Sequence, residues 1–175
     1  MTEMRMDWET RSPVDIRKQG AYIYAEHPDT IALIASYRIG DGPLKRWKRG
    51  EPCPADIREH VEAGGMISAQ NAAFERLIWW KVMVPKCGWP KPKLRQFRCT
   101  AVTASAMSLP RDLENLGAAL GLDVRKDKRG KDLMKIHSIP IGFSDGKPVW
   151  HPLADDPASM EDYHRYCDTD MLTEE

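Results

Sequence analysis

The run "GMISAQN" (65–71) passes directly into "AAFERLIWWKVMV" (72–84), and this junction constrains the fold more than any other stretch of the chain. The first piece is short, apolar and bounded by glycine, as a buried strand is. The second places Phe74, Leu77, Ile78 and the stem of Lys81 on one face at the 3.6-residue period before Pro85, which is expected to stop the helix. A strand feeding a helix makes a βα unit.

Other segments supply the rest of a sheet. Residues 3–9 mix Met with charge ahead of the turn "TRSP", and "TIALIASYRI" (30–39) is β-branched and apolar up to "GDG", so the two are predicted to be neighbouring strands. The piece 44–47 extends the sheet. "PADIREHVEAG" (54–64) carries Pro near its start, Ile57 and Val61 four apart and a closing glycine, which predicts a helix. "LENLGAALG" (113–121) has helical spacing with Gly121 as its stop, the Asp-Gly pair in "HSIPIGFSDGKPVWHP" predicts a small hairpin, and "PKCGWPKPKLRQF" reads as an irregular connection. The last stretch, "DPASMEDYHRYCDTDMLTEE", is helix-compatible to its end, with Met160, Tyr163, Cys167 and Met171 in one stripe. The expected fold class is α/β, with a central mixed β-sheet flanked by α-helices in a single domain over 1–175.

Composition narrows the function. Lys plus Arg and Asp plus Glu both number 26, so any attraction to a polyanion must come from local patches, and a protein that coats duplex in bulk is disfavoured. The amino-terminal stretch has no apolar signal core and no later run reaches the ~18 apolar residues of a membrane span, so a cytoplasmic setting without membrane partners is expected. Cys53, Cys87, Cys99 and Cys167 lack CxxC spacing, and His27, His60, His137, His151 and His164 lack ligand spacing with them or with one another. Zinc and a disulfide framework are not indicated.

The chemistry sits in the acids. In "DWET" (7–10) alternate strand residues share a face, so Asp7 and Glu9 project together while Trp8 packs on the other side. With 26 acids in 175 residues, about 4 acid-x-acid pairs arise by chance, so the pair needs company. In "QNAAFE" (70–75) the strand ends at Asn71 and Glu75 falls one turn into the next helix. In "YCDTD" (166–170) Tyr166 and Asp170 are four apart and stack on one helix face, ~60–100° from the centre of the apolar stripe, at the rim of the core.

On these motifs the chain resembles the DnaQ-like, or DEDD, 3′-to-5′ exonucleases, and in particular the proofreading region of phage-type family A DNA polymerases. "DWET" matches the first Exo motif, "QNAAFE" the second and "YCDTD" the third, while "RCT" (98–100), "LP" (109–110) and "KDKRGKDLM" (126–134) extend the likeness over nearly the whole chain. The histidine subclass has His five residues before its last Asp, where this chain has Arg165. Tyr166, four before Asp170, fits the tyrosine subclass. Many relatives carry Asp at the position of Glu75, and the longer arm shifts a metal or a metal-bound water.

The resemblance implies a ribonuclease H-like fold and two Mg²⁺ or Mn²⁺ ions. It implies Asp7 as bridging ligand, Glu9 and Asp170 as ligands of the ion that activates water, Glu75 as a second-site ligand through water, and Tyr166 as the group orienting the nucleophile. Thr10, Asn71 and Phe74 are implied nucleic-acid contacts, and the spacing of Phe74 to Leu77 and Ile78 equally fits core packing. The cations Arg125, Lys126, Lys128, Arg129 and Lys131 suit either a phosphate backbone or a solvated loop. Expected partners are a single-stranded DNA 3′ end and a DNA polymerase domain or replication proteins, in the cytoplasm of a bacterium or phage-infected host, with no polymerase domain inside 1–175. An RNA-processing exonuclease and a non-catalytic nucleic-acid-binding module of the same fold remain alternatives.

Overall fold

In the computed structural model, which describes residues 2–121 and 128–173 apart from the side chains at 128, 129 and 131, the alternating amino-terminal run forms the middle strand of a five-stranded sheet. Strand β1 (Glu3–Arg11) is followed by helix α1 (Ile16–Glu26) and pairs antiparallel with β2 (Ile31–Ile39), which in turn pairs antiparallel with β3 (Lys45–Lys48). Helix α2 (Ala55–Glu62) leads to β4 (Met66–Ala69), parallel to β1 on its other side. Helix α3 (Ala72–Ile78), a π-helical turn (Trp79–Met83) and α4 (Val84–Cys87) precede β5 (Phe97–Cys99), parallel to β4. The strand order is β3-β2-β1-β4-β5. Beyond it come α5 (Thr100–Ala106), α6 (Leu113–Ala119), α7 (Lys128–Ser138), the hairpin of β6 (Gly142–Ser144) and β7 (Lys147–Val149), and α8 (Pro157–Thr173). The expected mixed α/β sheet with flanking helices is the observed one.

The two faces of β1 are chemically opposite, and that division positions the site. Met4, Met6 and Trp8 enter the larger core, where the Trp8 ring meets Trp47, Trp79 and Trp89 at centroid separations of 5.9, 6.0 and 5.3 Å. Aromatic pairs at these distances contribute about 0.5–1.5 kcal/mol each beyond the area they bury. Arg5, Asp7 and Glu9 take the other side, which α8 crosses, packing Tyr163, Tyr166 and Cys167 on Leu33 and Ile34. A bulge sharpens the arrangement: Glu9 pairs with Ile34 but Thr10 with Ala32, so Leu33 is the extra residue and joins Ile34 under α8.

Several expectations need correction. Pro85 does not stop the helix; the backbone widens into the π-turn, where the Val84 N–H bonds the Trp79 carbonyl, and continues to Cys87 before Gly88 ends it at φ 67°. The wider turn accommodates a ring that would clash with the carbonyl four residues back. Residues 16–26 form a helix that the sequence pattern hid, since Gly20 interrupts it at φ 81° and ψ 164°. The irregular connection ends at Phe97, which is the first residue of the edge strand β5. The candidate cations Arg125, Lys126, Lys128, Arg129 and Lys131 lie outside the described residues and side chains, although the backbone from Lys128 onward is helical rather than a loop.

Buried Arg11 anchors the carboxyl half to β1. Its Nε donates to the His137 carbonyl at 2.6 Å, Nη2 to the Ala154 carbonyl at 2.6 Å and Nη1 to Asp155 at 3.1 Å. The end of α7 and the approach to α8 are thereby tied to the strand that carries the acids. All four cysteines are free, and no described helix is long and apolar enough to cross a membrane.

Candidate active site

The site is a consequence of strand alternation meeting helix periodicity. Asp7 and Glu9 stand on the α8 side of β1, opposite Ser36 and Ile34 of β2. Cys167 of α8 lies directly over β1, its sulfur 3.6 Å from both the Asp7 carbonyl and Asp7 Oδ2. Asp170 follows three residues later, nearly one helical turn on, and so overhangs the same strand. The result gathers acids from both ends of the chain: oxygens of Asp7, Glu9 and Asp170 all lie within 4.8 Å of one another. Among the described residues these three form the group able to hold a metal ion.

Such a group resists ionisation. Burial, then repulsion from Asp170, pushes the Asp7 carboxyl up to about 7. Burial and then Asp7 hold Glu9 well above the ordinary carboxylate range, against the stabilising hydrogen bond from Tyr163. A divalent cation reverses the sign of that interaction, because the oxygens that repel one another all attract it. Three carboxylates suit a hard cation such as Mg²⁺ or Mn²⁺, which prefers oxygen ligands. The Cys167 thiol is pushed up by burial and by Asp7, so it stays protonated and donates to the carboxylate.

The remaining sequence-predicted residues divide. Tyr166 is buried beside the cluster, its hydroxyl donating to Asp170; burial and Asp170 push its phenol further above the usual range. The backbone of Gly130 lies so close to the Tyr166 ring that a Cβ there would overlap it. Glu75 is buried in the first turn of α3 but does not join the three gathered carboxylates. Asn71 is exposed at the start of α3, where its carbonyl accepts from Phe74 N at 2.7 Å. Phe74 packs against Tyr24 at 5.9 Å on the edge of the tryptophan-rich core. Thr10 points away from the acids: it is buried and its hydroxyl meets that of Tyr24 at 2.8 Å, on the opposite side of β1.

Sequence reasoning missed two supporting groups. Tyr163, a residue of the apolar stripe, donates its hydroxyl proton to Glu9 Oε2; its position three before Tyr166 on the same helix is the one signal in the sequence. Asp168, the middle residue of "YCDTD", turns from the cluster towards the sheet, accepting from Ser36 Oγ at 2.6 Å and from Arg46 Nε at 2.9 Å. These bonds tie α8 to β2 and β3.

No family model matches the chain. The fold is shared with part of a DNA polymerase: the structure of the family B enzyme from the hyperthermophilic archaeon Pyrobaculum calidifontis superposes with a TM-score of 0.52 and 14% identity, covering 98% of this chain and 23% of that one. A sequence relative is more informative. The DNA polymerase of Bacillus phage SP02 is 33% identical over 183 residues, covering 99% of this chain and 27% of that protein. The chain therefore spans about a quarter of the length of either protein.

Proposed function

We propose that the chain is a divalent-metal-dependent 3′-to-5′ exonuclease of the DnaQ-like tyrosine subclass with a ribonuclease H-like fold. It removes nucleoside 5′-monophosphates from single-stranded or frayed DNA and proofreads for a phage-type DNA polymerase, in a bacterial or phage-infected cytoplasm. The observation that carries this reading is the convergence of the Asp7, Glu9 and Asp170 oxygens. Similarity to a phage DNA polymerase over 99% of the chain supports the DNA context.

Asp7, Glu9 and Asp170 would hold the ions, Asp7 between them, with Glu75 reaching the second through water. Two divalent ions so bound supply charge neutralisation at the attacking and leaving oxygens of phosphodiester hydrolysis. The protein's own groups do the rest. Tyr166 keeps its proton at neutral pH because burial and Asp170 raise its phenol further, so it serves as a hydrogen-bond donor that orients the nucleophile rather than as a base. Exposed Asn71 meets the strand end at the start of α3. The thiol of Cys167 and the hydroxyl of Tyr163 hold the two β1 carboxylates from beneath.

The test is digestion of 5′-labelled single-stranded DNA beside a matched RNA, with Mg²⁺, with Mn²⁺ and with chelator. The expected result is a ladder shortening from the 3′ end of the DNA, nucleoside 5′-monophosphate as product, and no reaction in chelator. Faster digestion of RNA would favour the exoribonuclease reading, and binding without cleavage would favour a non-catalytic module.

A further inference from the structure

Glu9 has reason to leave the cluster. Its carboxylate sits beside Asp7 and Asp170, both of which repel it, and a glutamate side chain has rotamers that would swing it away. What opposes this is one residue of α8. Tyr163 is fully buried, and its hydroxyl contacts both Glu9 Oε2 and, at 2.8 Å, Ser138 Oγ. A phenol has one proton. It goes to the carboxylate, so the Ser138 hydroxyl donates to the phenol oxygen, and the chain of donation runs from Ser138 through Tyr163 to Glu9.

The ring is held as firmly as its hydroxyl. His137 stacks on it at 4.9 Å with planes 12° apart, and the Tyr166 ring lies parallel at 6.2 Å and 6°. His137 is itself pinned, with Nδ1 2.9 Å from the Ala154 carbonyl and Nε2 2.8 Å from Ser159 Oγ. A phenol fixed by stacking and by a donor behind its oxygen presents its proton at one place only.

We infer that Tyr163 is a positioning residue for the metal centre: it holds Glu9 in the cluster by occupying one carboxylate oxygen, and leaves the remaining ligand capacity directed at the cation. The inference rests on the metal-centre reading above. Hydrogen-bonding partners of metal-binding carboxylates typically change metal affinity by about 10–100-fold when removed.

The test is Mn²⁺ binding to the intact chain, read from the free-ion electron paramagnetic resonance signal, in wild type, Asp7→Asn, Tyr163→Phe, Glu9→Gln and the Tyr163→Phe/Glu9→Gln double variant. Tyr163→Phe is expected to weaken binding about 10-fold while remaining folded. In the Glu9→Gln background the same substitution is expected to have no further effect, since the hydroxyl acts through that carboxylate. Unchanged affinity in Tyr163→Phe, or an equal loss in both backgrounds, would overturn the role. Should Tyr163→Phe fail to fold, Ser138→Ala is expected to weaken binding in the same direction by a smaller factor, and unchanged binding there would overturn the role. Wild-type affinity in Asp7→Asn is a different failure: it would remove the metal centre itself, and the role of Tyr163 with it.

Discussion

Acidification is expected to strengthen the metal-free protein through its Asp7 carboxyl, the reverse of what a salt-bridged carboxylate does. Asp7 moves from 3.8 to about 7 in the folded state because it is buried and faces Asp170. A carboxyl raised by folding contributes stability that is complete below its unfolded value and is lost as pH climbs through the folded one. At about 1.36 kcal/mol per pH unit the full displacement is on the order of 4 kcal/mol, of which about 2 kcal/mol returns between pH ~8 and ~5.5. For a chain of this size that corresponds to about 4–8 °C in melting temperature. Glu9, also raised, acts in the same direction, while His137 and His164, held neutral by burial, oppose it as pH falls. The comparison of wild type with Asp7→Asn isolates the one carboxyl. Thermal unfolding in chelator is expected to show Asp7→Asn well above wild type near pH 8, with the gap closing towards pH 5.5 and narrowing at pH 8 when Mg²⁺ is saturating. A gap that is absent, or constant across that range, would refute the reasoning.

Trp8 is 3% exposed and contacts three other tryptophans, so Trp8→Ala is expected to cost about 3–5 kcal/mol in urea unfolding. Asp168→Asn removes a charged acceptor from Arg46 and Ser36; it is expected to lose about 2 kcal/mol of stability while metal-dependent cleavage persists. Gly130→Ala would raise helix propensity by about 1 kcal/mol on its own, yet its Cβ would overlap Tyr166. The expected outcome is slower single-turnover cleavage with no gain in melting temperature.

Legibility followed locality. The alternation in residues 3–9 and the i, i+4 relation of Tyr166 and Asp170 are rules within one element, and the structure has Asp7 with Glu9 on one face of β1 and Tyr166 bonded to Asp170 on α8. Helix α1 escaped because Gly20 breaks its period, and β5 because three residues beside prolines and lysines carry no alternation to read. Thr10 illustrates a different limit. It adjoins Glu9 in the strand, yet its hydroxyl meets that of Tyr24, a contact that motif adjacency alone does not reveal. The role of Tyr163 depends on α7 bringing Ser138 and His137 against it, a contact between segments that no local pattern encodes. Phe74 fits both of its readings by spacing, and only its packing on Tyr24 shows where the ring lies.

The most direct measurement is a crystal structure with Mn²⁺, using anomalous scattering at the manganese edge. The account predicts two peaks about 3.5–4 Å apart, with Asp7 touching both and with Glu9 and Asp170 ligating one of them. Density at neither position at millimolar Mn²⁺, or peaks held by other side chains, would contradict it.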